Sequence, residues 1–284
     1  MNRPFSLVAT CLLPVALLLP STPSAAVDSA TTETASAVQL CLPANSTVPF
    51  HGVVSMDKAG GPNTQLMYPA PNLAGFIAAI ATHAVLVGNE KSSQKQKILA
   101  EADYVLSPYQ SVLGLFTLED LFKRCTMKNG KRQITLTTVE KSQADIGPIV
   151  EASPSYSMTQ DQKAILLSND IVLRGVKEGS SNFFKGTIKV VSKPAPDGDM
   201  PEYWMHSEGE NLKNVSARLL ADSIDVAFQL SGNQDSSSTA PFRTFRYPEG
   251  GSEKMERGQA ISESCEQIIL KTLRGEILVV PGRC

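Results

Sequence analysis

The sequence predicts an α+β chain, a helical front half followed by a mostly antiparallel sheet with two packed helices. Three observations predict it. Leu73–Gly88 is uncharged and places its apolar residues at helical spacing; strict alternation of apolar and polar residues appears after position 160; and a short turn-rich connector, Lys177–Asn182, joins two of the alternating runs.

The chain opens with Arg3, an apolar run from Phe5 to Leu19, the breakers Pro20 and Pro23, and the small residues Ser24-Ala25-Ala26. That order is a secretory signal, with cleavage expected before Val27 and a periplasmic or secreted product. A retained anchor is the weaker reading, because the run falls short of the roughly 20 residues a membrane span needs. Cys11 lies inside the apolar run, after Thr10, and is assigned to the discarded peptide. Residues 27–48 read as a flexible lead-in, 49–150 as a helix-rich part, and 151–284 as an α+β part that forms either its own domain or one domain with 49–150.

Phe50–Met56 has the character of a short strand and is followed by a Gly/Pro loop. The helix expected at Leu73–Gly88 carries Leu73, Ile77, Ile80, Ala84 and Val87 on one side and Ala74, Ala78, Ala81, Val85 and Gly88 on another. Apolar nearly all round, it is expected between two layers of a core. At 1.5 Å per residue it reaches about 24 Å, short of the roughly 30 Å hydrocarbon core. Its small-residue face also fits close helix packing, which supports an alternative: a membrane-associating or self-associating segment.

Glu90–Leu106 is amphipathic and Pro108 marks its boundary. Thr117 is a fitting N-cap for the helix beginning Leu118-Glu119-Asp120, whose acids suit a first turn. A turn at Lys128–Gly130 leads to a strand over Lys131–Val139. Ile165–Leu173 and Phe184–Val190 are expected to pair as an antiparallel hairpin. Helices are expected near Asn211–Leu230 and near Gln259–Leu273, with strands at Phe242–Tyr247 and Ile277–Val280.

Loss of residues 1–26 removes one cation, Arg3, from 26, leaving 25 basic against 28 acidic residues. That balance gives no electrostatic case for nucleic acid. Four cysteines remain: Cys41, Cys125, Cys265 and Cys284. An even number in an exported chain favours two disulfides, expected as Cys41–Cys125 and Cys265–Cys284. No metal-binding cysteine spacing occurs.

Among candidate chemistries, Ser92-x-x-Lys95 has the spacing of a serine activated by a lysine one helical turn away. It lacks the accompanying strand Lys-Thr-Gly, since only Lys185-Gly186-Thr187 is present, and it reads as a helix start. The basic run Lys123, Arg124, Lys128, Lys131 and Arg132 reads as a solvated helix end. His51, His83 and His206 are far apart, and no Gly-x-Ser-x-Gly elbow supports a triad.

The loop over Asp197–Glu210 gathers Asp197, Asp199, Glu202, Glu208 and Glu210 with His206 and Trp204, the one tryptophan. Clustered oxygens suit calcium, but the EF-hand spacing is absent, so no cofactor is expected. An aromatic among polar residues suits a ligand or partner contact, and Trp204, His206, Asp197, Asp199 and Glu202 are its candidates. The sequence thus points to an exported, bacterial-type envelope protein that binds or supports another envelope protein or polymer. Peripheral membrane contact through Leu73–Gly88 and a hydrolase with dispersed catalytic residues are the alternatives.

Overall fold

The computed structural model describes residues 38–43, 47–53, 90–128, 134–137, 147–175, 184–232 and 240–282. All belong to one compact unit, Ala35–Cys284. The leader, Leu73–Gly88 with His83, Lys131, Arg132 and Cys284 lie outside the described residues.

The strands are β1 (Val38–Cys41), β2 (Phe50–Gly52), β3 (Ile134–Thr137), β4 (Ile149–Met158), β5 (Ile165–Arg174), β6 (Phe184–Val191), β7 (Arg243–Glu249), β8 (Ser252–Glu263), β9 (Gln267–Thr272) and β10 (Ile277–Pro281). The helices are α1 (Glu90–Asp103), α2 (Gln110–Leu113), α3 (Leu118–Lys128) and α4 (Met200–Gly232), with a 3-10 stretch at Tyr104–Tyr109. All ten strands form one sheet, ordered β3-β1-β4-β5-β6-β10-β9-β8-β7, and β2 also pairs with β4. The class is α+β, as expected, although the longest helix lies in the second half.

β4 was not legible as a strand because its middle holds Pro154 among serines, and proline removes a ladder donor. The register explains how it is accommodated. β1 pairs with Ile149–Glu151 and β2 with Tyr156–Met158, both on the β4 edge away from β5. The Tyr156 N–H points to that edge, donating to the Pro49 carbonyl at 3.0 Å. Two residues earlier, the nitrogen of Pro154 therefore faces the gap between β1 and β2, where no donor is needed.

The helices cover one face of the sheet. Alternation aims Val150, Ala152, Tyr156 and Met158 of β4, and Ile165, Leu167, Ile171 and Leu173 of β5, into a core closed by Leu212, Leu219, Leu220 and Ile224 of α4. Each valine, leucine, isoleucine or methionine among them, fully buried, contributes roughly 1.5–3 kcal/mol. Tyr156 stacks on Phe50 at 5.1 Å and donates to the Ser216 carbonyl at 2.9 Å, tying the sheet to α4. α3 begins as expected: the Asp120 N–H donates to Thr117 Oγ1 at 3.1 Å. No described helix is long and apolar enough to cross a membrane.

The flexible lead-in expected over 27–48 ends in β1, whose Val38 and Leu40 enter the helix-side core between β3 and β4, and the loop expected over Asp197–Glu210 is taken up by α4 from Met200. Two further expectations are corrected. Gln259–Leu273 is not a helix; it is split between β8 and β9 by a turn in which the Ser264 N–H donates to the Gln267 carbonyl at 2.9 Å. Its isoleucines and leucines serve two faces at once: Ile269 enters the helix-side core, while Leu270 joins Phe245, Tyr247, Leu278 and Val280 in a second core on the other face. That second core forms because the β7–β10 meander curls until β7 touches β10.

The second correction concerns the expected Cys41–Cys125 bridge, since both residues are free buried thiols. Cys41 is in register with Glu151, on the sheet face opposite Val38, Leu40 and Val150. Cys125 projects from α3 into the helix-side core beside Tyr156. The sheet lies between the two sulfurs. Burial, assisted by Glu151, pushes the Cys41 thiol up; burial, assisted by Asp225 and Asp222, pushes Cys125 up to about 12. Neither thiol is activated. Cys265 is disulfide-bonded to a partner outside the described residues.

Candidate functional site

The turn between β4 and β5, residues 159–164, gathers segments from four parts of the chain. Gln162 at its apex has φ +60°, the left-handed region. The Tyr109 hydroxyl donates to Gln162 Oε1 at 2.5 Å, and the Trp204 indole N–H donates to the Gln162 carbonyl at 2.6 Å. The Ala195 N–H reaches the Lys163 carbonyl at 2.7 Å, and Lys163 Nζ meets Asp197 Oδ1 at 2.5 Å. Asp161 accepts from the Thr159 hydroxyl, the Lys163 N–H and, at 2.6 Å, the N–H of Gly251 at the β7–β8 hairpin tip.

Pinned in this way, the start of α4 carries an unusual backbone. α4 is interrupted at His206–Gly209: His206 is extended (φ −50°, ψ 132°), and Ser207 (50°, 54°), Glu208 (61°, 33°) and Gly209 (82°, 24°) form a left-handed turn. Glycine is required at 209 twice over, by its φ and because a Cβ there would sit 2.5 Å from Val112 Cγ1. Ser207 and Glu208 have no such excuse, because L-residues lose roughly 1–2 kcal/mol each in this conformation. The non-glycine residues with positive φ among the described residues are Gln162, Ser207 and Glu208, and all three belong to this one locale.

The turn is held on both sides. Before it, Asp199 caps the first segment of α4, with its Oδ1 accepting from the Glu202 N–H at 2.9 Å, and Trp204 is buried. After it, Glu210 receives both Arg124 terminal nitrogens at 2.7 Å, docking the resumed helix on α3, and Asn211 Nδ2 donates to the Tyr203 carbonyl at 2.8 Å. The hydrogen bond from Arg124 holds the Glu210 carboxyl below its ordinary value, against the opposing effect of burial. Lys163 likewise lowers Asp197, first through its hydrogen bond. Burial, with Asp199 adding to it, pushes the Tyr109 phenol up to about 12.

The five residues singled out from the sequence therefore divide. Trp204 is an internal anchor, Asp199 a helix cap, and Asp197 a solvent-exposed counterion for Lys163. Glu202 and His206 are exposed. No group of three or more His, Cys, Asp or Glu side chains able to hold a metal occurs among the described residues. His51 lies 3.9 Å from Asp103, where β2 meets the end of α1, a region the Gln160 amide ties to the β4–β5 turn by donating to the Val53 and Ala102 carbonyls. Sequence reasoning missed Gln162 and Ser207 and named Glu208 only as one of the clustered acids. Gly209 was the one available signal of the left-handed turn.

Chemically, the locale presents an imidazole, a hydroxyl and a carboxylate on consecutive exposed residues, on a backbone that cannot easily relax. That suits recognition of a partner by directional hydrogen bonds.

No protein-family model matches the chain, and no curated protein matches it significantly. A solved structure titled "Crystal structure of uncharacterized protein" is similar over 68% of this chain and 89% of its own, at 10% identity and a TM-score of 0.23. That likeness is too low to carry a fold or a function.

Proposed function

We propose that this chain is an exported envelope protein, periplasmic or secreted, that acts by binding another envelope protein through the His206–Gly209 turn. The observation that carries this reading is the clustering of the left-handed non-glycine residues in one locale, where Ser207 and Glu208 are exposed. Strain of this kind is retained where surrounding structure over-determines it, and it collects at contact and switch sites. A turn serving only to reverse the chain is made more cheaply with glycine or asparagine. Keeping serine and glutamate there is explained by a use for their side chains. The leader-like N-terminus supports export, and so does the disulfide at Cys265, since such bonds persist in oxidising compartments.

The test has two arms. Cell fractionation with mass spectrometry of the N-terminus is expected to find the chain processed before Val27 in the periplasm or medium; an unprocessed cytoplasmic chain would refute export. Affinity capture from the envelope fraction is then compared between the wild type and Glu208→Gly, a change expected to relieve strain without unfolding the chain. A partner retained by the wild type and lost by the variant supports the contact point. Equal capture by both removes it.

A further inference from the structure

Among the described residues, the sheet is wider than the helix layer covering it. On the helix side that cover reaches Ile277 and Val279 of β10 and Ile269 of β9, all buried. Beyond that line, the register places Lys271 on the same side as Ile277, and Gln259 beside Lys271. Met255 and Arg257 follow by alternation on β8, and they face Arg246 and Thr244 on β7. Leu273 extends the ladder by one residue, its N–H donating to the Arg257 carbonyl. Thr244, Arg246, Met255, Arg257, Lys271 and Leu273 are all exposed.

This uncovered wing has a definite chemistry. Met255 is 62% and Leu273 61% exposed, and Phe242, just ahead of β7, is 44% exposed. Arg246, Arg257 and Lys271 are positive; Glu253, paired with Arg246 at 3.1 Å, is the negative charge among them. The local excess of cations contrasts with the chain's net charge of −2. Cations alternating with flexible aliphatic side chains on the outer side of the curled meander match a surface whose phosphates lie above an acyl boundary. A protein hot spot would gather aromatic anchors into one pocket, and here the apolar side chains are spread between the charges.

We propose that the outer face of the β7–β9 wing docks on an anionic lipid surface, a placement that rests on the envelope location proposed above. The probe is the purified chain sedimented with vesicles of phosphatidylglycerol mixed into phosphatidylcholine, against phosphatidylcholine alone. Binding is expected only to the anionic vesicles and is expected to weaken with salt. Arg257→Gln with Lys271→Gln should lower affinity roughly 25-fold, about fivefold per charge. Met255→Ser with Leu273→Ser should also weaken it, and the urea midpoint should hold in both, because the positions are exposed. Because these variants leave Leu73–Gly88 untouched, undiminished vesicle binding by them would overturn the proposal. No binding to either vesicle would overturn it too, as would retention on immobilised polyglutamate without vesicle binding, which assigns the wing to an acidic protein. Vesicle binding in a chain that fractionation finds unexported would uphold the wing and fail the location alone. Export without vesicle binding would fail the wing alone.

Discussion

The indole N–H of Trp204 donates to the backbone carbonyl of Gln162 at 2.6 Å, joining the start of α4 to the turn between β4 and β5. Trp204 is 1% exposed and sits three residues before the left-handed turn. The bond fixes where that turn emerges. Trp204→Phe removes the donor and some packing volume, and is expected to cost about 2 kcal/mol. Urea denaturation followed by circular dichroism measures it, since the substitution also removes the protein's one tryptophan fluorophore.

Relief of strain makes the opposite prediction. Ser207→Gly and Glu208→Gly should each stabilise the fold by about 0.5–1 kcal/mol, the left-handed cost less the extra unfolded-chain entropy of glycine. The urea midpoint should rise at an unchanged slope. A loss of stability would mean that the two side chains hold the turn rather than strain it.

The β7–β8 hairpin tip should be sensitive to pH through two carboxyls with opposite signs. Burial raises Asp161, but the hydrogen bonds from Thr159, Lys163 and Gly251 outweigh it and leave the group below its ordinary 3.8. Its stabilisation is therefore present above 3.8 and lost as pH falls through the lowered folded value. Glu249 is raised above its ordinary 4.5 by burial and by Asp161, with Lys254 opposing. Its contribution is full below 4.5 and lost as pH rises through the raised folded value. Glu249→Gln should raise stability at pH 7 relative to wild type and flatten the neutral side of the profile; Asp161→Asn should flatten the acid side. Thermal denaturation across pH reads both.

Cysteine chemistry should sort by location. Gly282 donates to the Glu266 carbonyl at 3.0 Å, so the chain two residues before Cys284 lies beside Cys265. Non-reducing peptide mapping is expected to join Cys265 to Cys284, closing a loop worth about 3 kcal/mol in the chain-entropy model. Cys41 and Cys125 should resist thiol reagents until the protein unfolds. A Cys41–Cys125 peptide would contradict the opposed faces on which the two residues sit.

How much of this was legible in advance depended on how local the cause was. The β5–β6 hairpin, the Thr117 cap and the strand at β10 follow from alternation and capping chemistry within a few residues. β4 was hidden by Pro154, whose missing donor is excused only by a gap between two other strands. The β8–β9 hairpin was mistaken for a helix because Ile268, Ile269 and Leu270 serve cores on both faces of a curled sheet, which blurs the two-residue period. At the candidate site, the clustered polar residues around Trp204 were visible, but their roles were not. The Asp199 cap is local to Glu202, but whether Trp204 anchors or the chain turns left-handed before Gly209 is decided by contacts with Gln162 and Val112, distant in sequence.

The measurement that tests the central claim most directly is photo-crosslinking in intact cells from a reactive residue placed at position 207, with position 187 on the opposite sheet face as the control. The account predicts a discrete adduct from 207, absent from 187 and lost when Glu208→Gly is added. No adduct from 207, or the same adducts from both positions, would contradict it.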